Sequence, residues 1–99
     1  MKYRIQYSPS AEEHLLALSA RQRRIALDAV DVQLSTEPEA ATKNRKPIRP
    51  DSIAPWELRV GKIRVYYEID RLNRTMVNVL AVGVKERNKV RIGKEEVEL

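Results

Sequence analysis

The sequence predicts an α+β domain in which an N-terminal helical hairpin lies on a small sheet. Three observations point there: a strand-like alternation at the start, two stretches of helical periodicity, and a glycine-centred hairpin followed by a dense apolar run. The 99 residues, 42% hydrophobic and 33% charged, are enough for one core and not two, so residues 1–99 read as a single domain.

The first segment, "KYRIQYS", alternates Tyr3, Ile5 and Tyr7 against Arg4 and Gln6, the period of a half-buried strand. Ser8 or Ser10 can then cap a helix over about residues 9 to 18, with Pro9 and the Glu12–Glu13 pair suited to a first turn whose N–H groups lack partners. A second helix, from about Ala20 to Ser35, follows from Ile25, Ala26, Ala29, Val30 and Leu34 recurring at three- and four-residue spacings. From Thr36 to Pro55 four prolines and no sustained period predict a long loop with room for one short helical turn.

Next comes "WELRVGKIRVYYEID". Gly61-Lys62 suits a two-residue type II′ loop, because its first position needs a positive φ that glycine adopts without strain. Counting outward pairs Val60 with Ile63, Arg59 with Arg64, Leu58 with Val65, Glu57 with Tyr66 and Trp56 with Tyr67. Trp56, Leu58, Val60, Ile63, Val65, Tyr67 and Ile69 then share the core-facing side. A third strand, "TMVNVLAVGVK", is apolar enough for a central position covered on both faces. The tail "ERNKVRIGKEEVEL" reads as a short helical turn and then a strand.

The hairpin places two arginines opposite each other. At ~5 Å and an effective dielectric of ~20 their bare repulsion is roughly 3 kcal/mol, so something must offset it. Glu57, Glu68 and Asp70 share the parity of one arginine or the other and could neutralise them. The alternative offset is a polyanionic ligand.

Composition excludes several chemistries. There is no cysteine, hence no disulfide framework, thiol nucleophile or zinc–thiolate site, and the one histidine, His14, rules out a histidine pair. The acids of "EEVEL" read as a solvated edge strand rather than a metal site, and Gly83 and Gly93 fit no phosphate-loop spacing. No metal and no cofactor is expected. No apolar run suggests a leader or a membrane span, so a cytoplasmic protein is expected.

Net charge is +5, but residues 43–91 hold thirteen Lys/Arg against five Asp/Glu, while the flanking segments are both slightly acidic. That is the footprint of a surface that meets phosphates or an acidic partner. Its candidate members are Arg59, Lys62 and Arg64 on the hairpin, Lys85, Arg87 and Arg91 after the third strand, and Lys43, Arg45, Lys46 and Arg49 in the loop. Tyr66 shares a face with the paired arginines, a combination suited to stacking a splayed RNA base while guanidinium groups hold its phosphates.

The order of strand, helix pair, basic loop, hairpin and third strand, with "WELRVGKIRVYYEID" and "VLAVGVKERNKV", resembles the RelE/ParE family of bacterial toxins over nearly the whole chain. The resemblance implies a small antiparallel β-sheet packed against the helical hairpin, and a cognate antitoxin that wraps and inhibits the toxin. It also implies one of two activities. RelE-like members enter the ribosome and cut messenger RNA; ParE-like members inhibit DNA gyrase and are not nucleases. Matched by position, Arg64 takes the place of the arginine that contacts the scissile region. Lys85 stands where a second cation, usually arginine, follows the last strand, and Arg87 continues that motif. Two departures stand out: Pro55 and Glu57 replace lysines that precede the hairpin in the type nuclease, and Arg91 replaces a C-terminal tyrosine. On this resemblance Arg64, Lys85, Arg87 and Arg91 are the expected catalytic residues, and Arg59, Lys62, Tyr66, Lys43, Arg45 and Lys46 the expected RNA-binding ones.

Overall fold

Two serines begin the helices. In the computed structural model, which describes residues 2–48 and 52–98, Ser8 caps α1 (Pro9–Leu16) by accepting the Ala11 N–H at 3.0 Å. Ser19 forms a reciprocal box with Gln22 at the start of α2 (Ala20–Gln33): its Oγ accepts the Gln22 N–H at 3.1 Å while Gln22 Oε1 accepts the Ser19 N–H at 3.3 Å. The end of α1 is held from its neighbour. Arg23 donates from Nε to Leu15 O at 2.9 Å, which also accepts the Leu18 N–H at 3.1 Å, and from Nη2 to Leu18 O at 3.1 Å, just past the helix end. Arg23→Ala is therefore expected to lower unfolding free energy by about 1–2 kcal/mol, measured by urea denaturation. An unchanged midpoint would show that water replaces the guanidinium without loss.

The strands are β1 (Arg4–Tyr7), β2 (Arg45–Pro47), β3 (Trp56–Val60), β4 (Ile63–Ile69), β5 (Met76–Glu86), β6 (Lys89–Ile92) and β7 (Glu95–Glu98). They form one sheet in the order β2-β3-β4-β5-β6-β7, every neighbouring pair antiparallel, with β1 added in parallel along the first half of β5. The fold is α+β, as expected. The β3–β4 register matches the outward count from Gly61, whose φ of +56° places it in the left-handed region.

Two expectations needed correction. The loop before Trp56 contains β2, a three-residue edge strand in which Pro47 is tolerated because an edge needs fewer N–H donors. The tail forms two strands, β6 and β7, with no helical turn, because Arg87-Asn88 and Gly93-Lys94 are each tight two-residue loops between paired residues.

The helices cover one face of the sheet. Val30 of α2, Leu34 at its C-cap, and Ala11 and Leu15 of α1 pack with Leu58, Val65, Tyr67, Val77, Val79 and Val82, all nearly without solvent contact. The opposite face has its own smaller cluster, in which Ala54, Tyr66, Ala81, Val90 and Ile92 are buried together. A bulge links the two faces. Opposite Tyr66 and Tyr67 the register of β5 slips by one, so Leu80 is an extra residue and both Leu80 and Ala81 belong to the second cluster. The backbone there is bound from the N-terminal segment: Ser8 Oγ donates to Leu80 O at 3.2 Å, and the Val82 N–H donates to His14 Nδ1 at 3.3 Å.

Candidate nucleic-acid interface

Alternation along the strands decides which cations can meet. Cross-strand partners share a face, and Glu57, Arg59, Arg64, Gly83 and Lys85 all fall on the side away from the helices. Arg59 and Arg64 are direct partners, Arg64 is paired with Gly83, and Lys85 is joined to the hairpin tip by its N–H, which donates to Lys62 O at 2.7 Å. Glu57, Arg59, Arg64, Lys85, Asn88 and Val90 line a recess of about 180 Å³. Lys46, the partner of Glu57 on β2, lies on the same face.

The opposed arginines are offset from within. Arg59 Nε donates to Glu57 Oε1 at 2.8 Å, with the Glu57 side chain only 6% exposed. Arg64, itself buried, turns its Nη1 onto the carbonyls of Gly61 at 2.7 Å and Ile63 at 2.9 Å. Glu68 and Asp70 take no part; both accept from the Asn78 amide. One carboxylate thus serves a recess that holds three cations.

Tyr66 does not present a stacking surface. Its ring is 0% exposed beneath Ala54, Val90 and Ile92, because the chain's own C-terminal strands cover this face. The hydroxyl is buried without a hydrogen bond of good geometry, and burial, with the charge of nearby Glu57, raises its pKa well above the usual tyrosine value.

The other expected residues scatter. Arg91 is the partner of Val84 and so faces the helix side, where its Nε donates to Glu86 Oε1 at 2.6 Å. Arg45, partner of Leu58, also lies on that side and donates to Gln33 O at 2.6 Å, stabilising the end of α2. Arg87 is exposed at the first position of the β5–β6 loop with φ +62°, a conformation that costs a non-glycine residue of the order of 1 kcal/mol. Lys62 and Lys43 are exposed in turns, and Arg49 lies outside the described residues. Sequence reading assigned Glu57 only a neutralising role and gave Asn88 none; the signal for Asn88 was its place in a tight loop after a basic strand end.

A larger cleft, about 570 Å³, opens between α1 and the β6–β7 loop, lined by Glu13, His14, Leu80, Ile92, Lys94 and Glu95 among others. It is mostly apolar and has no excess of cations, which sets it apart from the basic recess. His14 is half-buried there, and burial pushes its pKa below the ordinary histidine value of 6.5, against the opposing charges of Glu13 and Glu95. Its Nδ1 must stay unprotonated to accept the Val82 N–H. A group whose pKa falls on folding contributes stability that is full above 6.5 and declines as pH drops below it. Melting temperature is expected to fall between neutral and mildly acid pH, and to fall less in His14→Asn, whose side-chain oxygen accepts at all pH values. Parallel pH profiles for the two proteins would refute the assignment.

No known family model matches the chain, and no curated protein matches it. Among solved structures it is similar to a chain of the RelBE2 toxin–antitoxin complex from Mycobacterium tuberculosis, with a TM-score of 0.68 and 26% identity, covering 86% of this chain and 100% of that one. No helix among the described residues is long and apolar enough to cross a membrane. The helical hairpin on its antiparallel sheet is thus the α+β fold of a chain from a toxin–antitoxin complex, and that likeness supports a toxin of the RelE kind.

Proposed function

We propose that the chain is the toxin of a toxin–antitoxin pair and acts as a RelE-type, ribosome-dependent messenger-RNA endonuclease in the cytoplasm. The observation that carries this reading is the recess where Arg59, Arg64 and Lys85 converge around one carboxylate. Cleavage through the 2′-oxygen makes a pentacoordinate phosphate with extra negative charge, and fixed cations stabilise that charge more than they stabilise the ground state. Arg64 suits the task because burial removes competing water, and its hydrogen bonds to two carbonyls fix its direction. The 2′-hydroxyl proton passes to water and the leaving 5′-oxygen takes one from water, with the Lys85 ammonium placed to stabilise the charge that develops there. The ribosome would supply alignment of the strand. Arg45 and Arg91, engaged on the opposite face, fall outside this mechanism.

The partner follows from charge. A protein segment with acidic and apolar residues, folding as it binds, fits a basic face bordered by apolar strands, and a cognate antitoxin is the partner of this kind. The ParE-type reading, inhibition of DNA gyrase without hydrolysis, draws support from Pro55 and Glu57 standing where the type nuclease has lysines. One experiment separates the two. Purified protein is added to translating ribosomes and to a gyrase supercoiling reaction. Truncated transcripts with supercoiling intact support the nuclease; intact transcripts with supercoiling blocked overturn it.

A further inference from the structure

We propose that Glu57 is a built-in counter-anion: it holds Arg59 when no RNA is bound, and an RNA phosphate displaces it, so the chain's own carboxylate sets the affinity of the recess. The ligand class rests on the nuclease reading above.

Three observations converge. First, Glu57 occupies Arg59 as a phosphate oxygen would, with Nε to Oε1 at 2.8 Å, inside a recess that also contains Arg64 and Lys85. Second, Glu57 is buried while Arg59 is 39% exposed, so the guanidinium has a route to solvent and the carboxylate does not. An incoming anion can therefore reach Arg59 from outside before Glu57 lets go. Third, partners for a released Glu57 are already present. A buried carboxylate stripped of its cation is costly, which by itself would prevent the exchange. The Tyr66 hydroxyl, buried beside Glu57 without a hydrogen bond of good geometry, is a donor in waiting, and Lys46 is the cross-strand partner of Glu57. The exchange thus moves Arg59 to the phosphate and Glu57 to Tyr66 and Lys46. It also gives the unsatisfied hydroxyl a use.

Glu57→Gln removes the competing charge and keeps the side-chain shape. Fluorescence anisotropy with a short labelled single-stranded RNA is expected to show about tenfold tighter binding than wild type, with a salt slope steeper by about 0.7. In an Arg59→Gln background the same change is expected to gain nothing. Polyglutamate serves as a second probe. Unchanged or weaker RNA binding by folded Glu57→Gln overturns the proposal, and so does tightening confined to polyglutamate, which would make the face a carboxylate site. If Glu57→Gln fails to fold, Tyr66→Phe decides: it removes the receiving donor and is expected to weaken RNA binding several-fold, and unchanged binding overturns the proposal. Cleavage by wild-type protein on ribosomes is scored separately. Cleavage without any Glu57→Gln effect rejects the counter-anion alone, whereas tighter RNA binding without cleavage rejects the nuclease alone.

Discussion

Replacing Arg64 with alanine should slow messenger-RNA cleavage by about 10²–10³-fold, the usual loss when a preorganised charge-stabilising donor is removed from a dry site. The size of the effect comes from burial and fixation. Arg64 is 7% exposed and its Nη1 is tied to Gly61 O and Ile63 O, so no reorientation precedes the reaction. The same two bonds link the side chain to the hairpin turn, and their loss costs about 1–2 kcal/mol of stability, small enough to leave a folded protein. Arg64→Lys retains the charge but not the planar fork and is expected to recover only part of the rate. Primer extension on ribosome-bound transcripts, with a thermal melt of each variant, makes the measurement. A wild-type rate in folded Arg64→Ala would remove the recess from the chemistry.

The second large effect concerns Gly83. A single methyl here would lie 2.7 Å from the Arg91 carbonyl oxygen, 2.7 Å from Val90 Cγ1 and 2.8 Å from Ile92 Cγ1, closer than real side-chain carbons approach. Alanine in a strand normally gains slightly over glycine, but this overlap involves backbone and cannot be relieved by one rotamer change. Gly83→Ala is expected to destabilise the protein by about 2–3 kcal/mol, read from chemical denaturation. Because Gly83 lies between Arg64 and Ile92 in the sheet, the forced shift also spreads the recess, so RNA binding should weaken in the fraction that stays folded. A stability equal to wild type would mean that β6 can move outward freely.

How much of this was legible in the sequence depends on how local each cause is. Helix starts follow from Ser8 and Ser19, and the hairpin register from Gly61, because caps and tight turns are set by a few adjacent residues. The β5 bulge was not legible: "VLAV" reads as a strand buried on both sides, yet Leu80 and Ala81 both join the cluster on one side. Strand β2 has three residues and a proline, too little for any period to show. The faces of Arg91 and Arg45 turn on where the neighbouring loops end, and one residue of uncertainty reverses a side chain. Tyr66 was expected to be open because the hairpin alone leaves it so; its cover comes from Ala54, Val90 and Ile92, beyond the hairpin. Arg59 and Arg64 could be paired in advance because one tight turn sets them opposite each other, whereas sequence reading grouped Lys85 with Arg87 and Arg91, which the structure parts from it.

The parallel pairing of β1 with β5 has a consequence for synthesis. Arg4 waits for Met76, and Tyr7 for Val79, so the first strand made has no sheet partner until most of the domain has left the ribosome. The same late strand brings Lys85 beside Arg64, so the recess is completed only when the centre of the sheet closes. A nascent chain stalled before β5 would hold both arginines of the hairpin without the lysine that completes the recess.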